Sequence, residues 1–237
     1  MSQGQRLIVA VDGPSGSGKS SVCRAVASQL GAAYLDTGAM YRAATWYCLA
    51  QGVDLNDEQA VAVAVEEVPL TISTDPEHQV ITVGESDVTA AIRETRISER
   101  VSEIATNRPA RALLIAAQRR IIDNARFIVA EGRDITTVVA PDAQVRVLLT
   151  ASAEARLRRR GLQLGGTETT EALRRQVIDR DTRDSTASNF TEAADGVAVL
   201  DSSDLTFQET IDALIQRVEQ ASAEPLSIPS AGASRGE

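Results

Sequence analysis

The chain has 237 residues, 43% apolar and only 3% aromatic, which suits one domain with insertions around an aliphatic, alanine-rich core. A formal net charge of −9 argues against a general nucleic-acid binder, because such proteins depend on basic surfaces. No stretch approaches the ~18 apolar residues of a membrane span, and the start, MSQGQR, has no basic-then-apolar leader, so a soluble cytoplasmic protein is expected.

Leu7 to Val11 is an apolar run expected to form a strand, ending in Asp12-Gly13 and a Gly/Ser-rich loop. A helix from Lys19 to Leu30 should follow, since Val22, Val26 and Leu30 recur at helical spacing and Gly31 can end it. Ala33 to Leu35 reads as a second strand, and Thr37 as the cap of a helix running to about Gln51. Asn56 and Gln59 resemble a capping box for a helix ending before Pro69. Leu70 to Thr74 and Gln79 to Val83, joined through Asp75-Pro76-Glu77 with His78 in the turn, predict a β-hairpin.

Helices are expected from about Glu94 to Ala105 and from Arg111 to Asn124. Phe127 to Ala130 and Val145 to Leu149 read as buried strands, the second leading to Ser152 as cap of an arginine-rich helix. Leu164-Gly165-Gly166 interrupts the pattern before a helix from about Thr170 to Asp181. Val197 to Leu200 gives a last strand. Thr206 and Glu209 form a capping box for a helix with the stripe Ile211, Leu214, Ile215 and Val218. The residues after Ala221 read as a disordered tail, assigned to 225–237. Cys23 and Cys48 lack metal or CxxC spacing and are expected to be reduced, half-buried thiols.

Strands alternating with helices predict an α/β fold with a parallel sheet covered on both faces. The hairpin region, roughly residues 53 to 105, reads as an insertion, and the arginine-rich segment 156–185 as a lid.

The strongest motif is Gly13-Pro14-Ser15-Gly16-Ser17-Gly18-Lys19-Ser20, which matches G-x-x-x-x-G-K-[ST] at every fixed position. Its glycines let the backbone turn amide N–H groups onto a phosphate chain, and the following helix presents its positive end to the same anion. Lys19 is expected to reach the β- and γ-phosphates of ATP, and the Ser20 hydroxyl to ligate Mg²⁺. Lys19 is also the only lysine among 24 Lys+Arg, kept where a compact ammonium is wanted.

Three further runs carry chemistry. Asp36-Thr37 opens a helix that presents Thr37, Tyr41 and Arg42 on adjacent turns, suited to a second phosphate. Glu131-Gly132-Arg133-Asp134 places a carboxylate at a strand end, the position of an acid that serves Mg²⁺ in P-loop enzymes. Arginines crowd at 156, 158, 159, 160, 174, 175, 180 and 183; half are expected to be a solvated face, while Arg180 to Thr186 is denser.

Together the runs GPSGSGKSS (Gly13–Ser21), LDTGAMYR (Leu35–Arg42), EGRDITTVVAPDA (Glu131–Ala143) and RDTRDST (Arg180–Thr186) resemble the bacterial cytidylate kinases, over about residues 6 to 220. The resemblance implies transfer of phosphate from ATP to CMP or dCMP with Mg²⁺. It implies a P-loop three-layer fold: a five-stranded parallel sheet, a lid, and an enlarged monophosphate-binding insert holding a small antiparallel sheet. One domain, residues 1–224, would divide into a core (1–36, 112–155 and 186–224), a monophosphate-binding region (37–111) and the lid (156–185).

Carried over residue by residue, Gly13 to Ser21 would bind ATP, and Arg42, Arg111 and Arg133 would grip the CMP phosphate. Thr37 and Tyr41 would line that pocket, Ser102 and Asp184 would read the cytosine, and Asp134 would sit beside the acceptor. Lys19, Arg133, Arg180 and Arg183 would carry the transfer, with Ser20, Asp36 and Glu131 on the metal side. A monomer is expected. One departure stands out: the family commonly follows D-S-T with arginine, and here Ala187 stands there, so another lid arginine substitutes or acceptor selectivity is altered.

Two other readings account for less of the sequence. A shikimate- or gluconate-type kinase would share mainly the phosphate loop, and a nucleotide-responsive switch would need a guanine-reading N-K-x-D motif, which a chain with Lys19 as its sole lysine cannot contain.

Overall fold

The computed structural model describes residues 6–163, 169, 174, 181–182, 185 and 188–222. In chain order the first half holds β1 (Leu7–Asp12), α1 (Lys19–Leu30), β2 (Ala33–Asp36), α2 (Thr37–Ala50), α3 (Glu58–Glu67), β3 (Leu70–Ile72), β4 (Ile81–Val83) and β5 (Ser86–Asp87). Then come α4 (Thr95–Ser98), α5 (Val101–Thr106), α6 (Arg108–Asn124), β6 (Phe127–Gly132), β7 (Val145–Thr150), α7 (Ala153–Gln163), β8 (Ala198–Asp201) and, last, α8 (Phe207–Ala221).

The five-stranded sheet has the order β2-β6-β1-β7-β8, with every pairing parallel. All six residues of the central strand β1 are buried, as its unbroken apolar run demands of a strand covered on both faces. Side chains alternate along it. Ile8 and Ala10 enter a core with Met40, Val61 and Leu114 on one face. Leu7, Val9 and Val11 enter a core with Val22, Val26, Leu214 and Val218 on the other. The register Leu7↔Phe127 to Asp12↔Gly132 brings the ends of β1 and β6 level, so the loops that follow them open side by side.

The helices mostly follow the expected pattern. In α1 the buried stripe includes Val22, Val26 and Leu30, and the helix stops at Gly31. In α8 Thr206 and Glu209 close the capping box, and Ile211, Leu214, Ile215 and Val218 are buried. Several boundaries differ. Asp36, not Thr37, caps α2, its carboxylate accepting the Ala39 N–H at 2.8 Å. Asp57 caps α3 through the N–H groups of Gln59 and Ala60, while the Asn56 side chain turns back to Asp54. The stretch after Glu94 is two short helices, α4 and α5, and α6 begins at Arg108 because Asn107 caps it with Pro109 in its first turn.

The hairpin forms with Leu70 opposite Val83 and Ile72 opposite Ile81, and β5 extends it to three strands. This small antiparallel sheet buries Ile81, Val83 and Val88 against Ala39 and Ala43 of α2, the helix that leaves β2 at the site. Cys23 and Cys48 are free thiols, fully rather than half buried; burial pushes the Cys48 thiol up to about 11 and raises that of Cys23 well above its ordinary value. The expected helix Thr170–Asp181 and the tail 225–237 fall largely or wholly outside the described residues. Among the described residues no helix is long and apolar enough to cross a membrane.

Candidate active site

β1 delivers the chain to the loop Gly13–Gly18, which crosses the sheet edge so closely that only glycine fits at its start. A Cβ on Gly13 would stand 2.1 Å from the Leu149 carbonyl oxygen of β7. Arg159 of α7 anchors the far side of the loop, donating to the Ser17 carbonyl at 3.0 Å and to the Ser202 carbonyl at 2.6 Å. The loop then enters α1, whose first residues are Lys19 and Ser20.

Both of these meet Glu131, the penultimate residue of β6. Lys19 Nζ lies 3.0 Å from Glu131 Oε2, and the Ser20 hydroxyl donates to Oε1 at 2.5 Å. The Tyr34 hydroxyl reaches the same Oε1 at 3.2 Å, and Thr37 donates to the Glu131 carbonyl at 2.8 Å. Burial and the Glu131 charge push the Tyr34 phenol well up, so it stays a donor. At the end of β2, Asp36 holds Arg42 at 2.8 Å. Burial alone would raise the Asp36 carboxyl, but Arg42, the Ala39 N–H, Lys19 and Arg93 outweigh it and hold it below its ordinary value.

The loop after β6 is fixed from beneath by Asp12, the last residue of β1. Its carboxylate accepts the Ile135 N–H and Thr136 N–H, both at 2.8 Å, and the Thr136 hydroxyl at 2.6 Å. Burial raises its pKa in spite of these bonds. The turn Ile135–Val139 is a π-helical one, and ahead of it Arg133 and Asp134 face the cleft. Asp134 Oδ2 takes Arg111 of α6 at 2.5 Å. Arg133 donates to the Gly13 carbonyl at 3.2 Å, pairs with Asp181 Oδ1 at 2.8 Å, and lies 4.2 Å over the Phe190 ring.

Most of these groups line one cleft of about 540 Å³. Lys19, Ser20, Asp36, Thr37, Tyr41, Arg42, Arg111, Glu131, Arg133 and Asp134, all singled out in the sequence, line it. Ser102 is buried on α5, whose neighbours Val101 and Ala105 line the cleft. Arg180, Arg183, Asp184 and Ala187 lie outside the described residues. Sequence reasoning missed Tyr34 and Arg93, and it quoted Asp181 only within the run Arg180–Thr186, with no role of its own. Of the crowded arginines, Arg156 and Arg160, one helical turn apart, turn to the site, while Arg158 and Arg174 are exposed.

The buried Arg42 Nε finds no acceptor among the protein's described atoms. Among the described residues no three His, Cys, Asp or Glu side chains cluster as a metal cage. The Ser20 hydroxyl beside Glu131 is instead an all-oxygen pair, the donor type and number that Mg²⁺ takes when phosphates supply the rest of its shell.

The family model for cytidylate kinase matches residues 9–220. A cytidylate kinase from Nocardia farcinica is 51% identical over 225 residues, 93% of this chain and 97% of that protein. One from Rhodococcus opacus is 46% identical over 91% of this chain and 96% of its own length, and one from Streptomyces avermitilis 42% over 92% and 94%. Among solved structures, an uncharacterized protein from Eubacterium ventriosum covers 90% of this chain and 98% of its own at a TM-score of 0.51. At 10% identity that is a likeness of fold alone. With the phosphate loop, the acidic strand end and the arginine-lined cleft in place, the chain belongs to the cytidylate kinase family.

Proposed function

We propose that the protein transfers the γ-phosphate of ATP to CMP or dCMP, giving CDP or dCDP. The observation that carries this is one cleft in which Lys19 and Ser20 of the phosphate loop share space with Arg42, Arg111 and Arg133. Such a cleft suits two mutually repelling phosphates held in line. The family match across residues 9–220 favours this reading over a shikimate- or gluconate-type kinase and over a nucleotide-dependent switch.

In this reading the amide N–H groups of residues 13–21 wrap the ATP phosphates and Lys19 neutralises the β- and γ-oxygens. Arg42, Arg111 and Arg133 hold the acceptor phosphate, framed by Thr37 and Tyr41, while Asp134 steers Arg111. Ser102 and Asp184 read the cytosine, and Arg180 and Arg183 add charge at the transferred group. The acceptor oxygen is already anionic near neutral pH, so no strong general base is needed.

Ser20 and Glu131 would hold Mg²⁺, with Asp36 behind them; when bound, the ion neutralises charge on the β- and γ-phosphate oxygens. Residues 37–111 serve the monophosphate, and the segment 156–185 acts as a lid that keeps water from competing as acceptor. The enzyme works as a cytoplasmic monomer. ADP release measured with CMP, dCMP, UMP, AMP and shikimate separately tests the proposal. Turnover with CMP and dCMP is expected; turnover with shikimate, or none that depends on an acceptor, overturns it.

A further inference from the structure

Asp181 belongs to none of the acids assigned above, yet its carboxylate reaches into the phosphate loop. Its Oδ1 accepts the backbone N–H of Ser15 at 3.0 Å and lies 2.8 Å from Arg133 Nη1, while its Oδ2 takes Arg156. Arg156 in turn donates to the Ser15 carbonyl at 3.0 Å, and Arg133 to the Gly13 carbonyl at 3.2 Å. Asp181 itself is 8% exposed. A loop amide and two guanidinium groups thus converge on one carboxylate, and these are the donors that bind a phosphoryl oxygen.

A carboxylate and a phosphate oxygen cannot take the same donors together, and two anions in contact repel. We infer that Asp181 is a positioning residue that holds Arg133 and Arg156 at the mouth of the phosphate loop and competes with nucleotide phosphate for them. The inference rests on the kinase reading of the same cleft. It follows that phosphate binding exchanges one anion for another, so the two half-buried guanidiniums always face a counter-charge. The Phe190 ring stacks 4.2 Å from the Arg133 guanidinium, a contact that does not depend on the carboxylate. The consequence is a nucleotide affinity set below what the donors alone would give.

The test is equilibrium binding of ADP and of inorganic pyrophosphate to the full chain, its Asp181→Asn and Asp181→Ser variants, and Asp181→Glu as the charge-retaining control. Removing the competing charge should tighten both ligands by about threefold or more, a modest part of the Coulomb energy of charges in contact. Asp181→Glu should stay near the wild-type value. The neutral variants should also melt lower without ligand and gain more from ADP than the wild type does. A residue that only braces the fold predicts the opposite sign. Unchanged or weaker binding in the neutral variants overturns the inference, as does their failure to melt cooperatively, which would mark Asp181 as a structural anchor. A wild-type chain that binds neither ligand overturns the kinase reading, and the inference with it.

Discussion

Lys19 Nζ lies 3.0 Å from Glu131 Oε2, an ion pair that joins the first residue of α1 to the end of β6 and sets the ammonium at the phosphate loop. Glu131 is held in turn by Ser20 and Tyr34, so the ammonium has a fixed address. A guanidinium is planar and longer, and cannot fill this place as a point charge. Lys19→Ala and Lys19→Arg should therefore both lower kcat by about 100-fold or more, in the range of lost transition-state charge stabilisation. The check is steady-state kinetics on variants with a wild-type melting profile; an arginine variant of near-normal rate would contradict it.

In the same cleft, Arg111 and Asp134 meet at 2.5 Å, so Arg111 is held by an acid on the neighbouring loop. Burial would weaken the Arg111 charge, but Asp134 outweighs it and raises its pKa further. Arg111→Ala should raise KM for CMP by about 10- to 100-fold, the worth of a charge-assisted hydrogen bond, with KM for ATP nearly unmoved. Equal changes in both constants would place Arg111 outside the acceptor site.

The Asp36–Arg42 pair makes stability depend on pH. The Asp36 carboxyl is held below its ordinary 3.8, so its contribution is present above that value and is lost as pH falls through the folded-state value. Asp36→Asn keeps an N-cap for α2 but loses the charge. The variant should be about 1–3 kcal/mol less stable at pH 7, and the gap should close below about pH 4. Denaturant midpoints at pH 7, 5 and 3 read this directly; a constant gap would show that charge plays no part.

Much of this was legible in the sequence because it is local. The strands of the parallel sheet are continuous apolar runs, and the phosphate loop fixes its own geometry. The sequence alone does not decide the cap of α2, because Asp36 and Thr37 are both good caps; the Glu131 carbonyl takes the Thr37 hydroxyl and leaves the cap to Asp36. The strand Ser86–Asp87 is too short to show a period. Tyr34 on Glu131 and Asp181 on Ser15 join residues 97 and 166 positions apart, and no local pattern announces such contacts.

Gly132 separates Glu131 from Arg133, and a Cβ there would stand 2.5 Å from the Thr37 hydroxyl and 2.7 Å from Ile135 Cδ1. Gly132→Ala should cost about 1–3 kcal/mol through overpacking and displace the Thr37 contact. Its activity should fall more than its stability, since the displaced loop carries Arg133 and Asp134. Melting temperature and kcat/KM for CMP, measured together, test this; a variant that loses neither would contradict the packing described.

The most direct test of the central claim follows the phosphorus itself. The chain is incubated with ATP labelled at the γ-phosphate, Mg²⁺ and CMP, beside Lys19→Ala, and the products are separated. Label should appear in CDP, only when CMP is present, and disappear in the variant. Label released as inorganic phosphate, with none in CDP, would contradict the account.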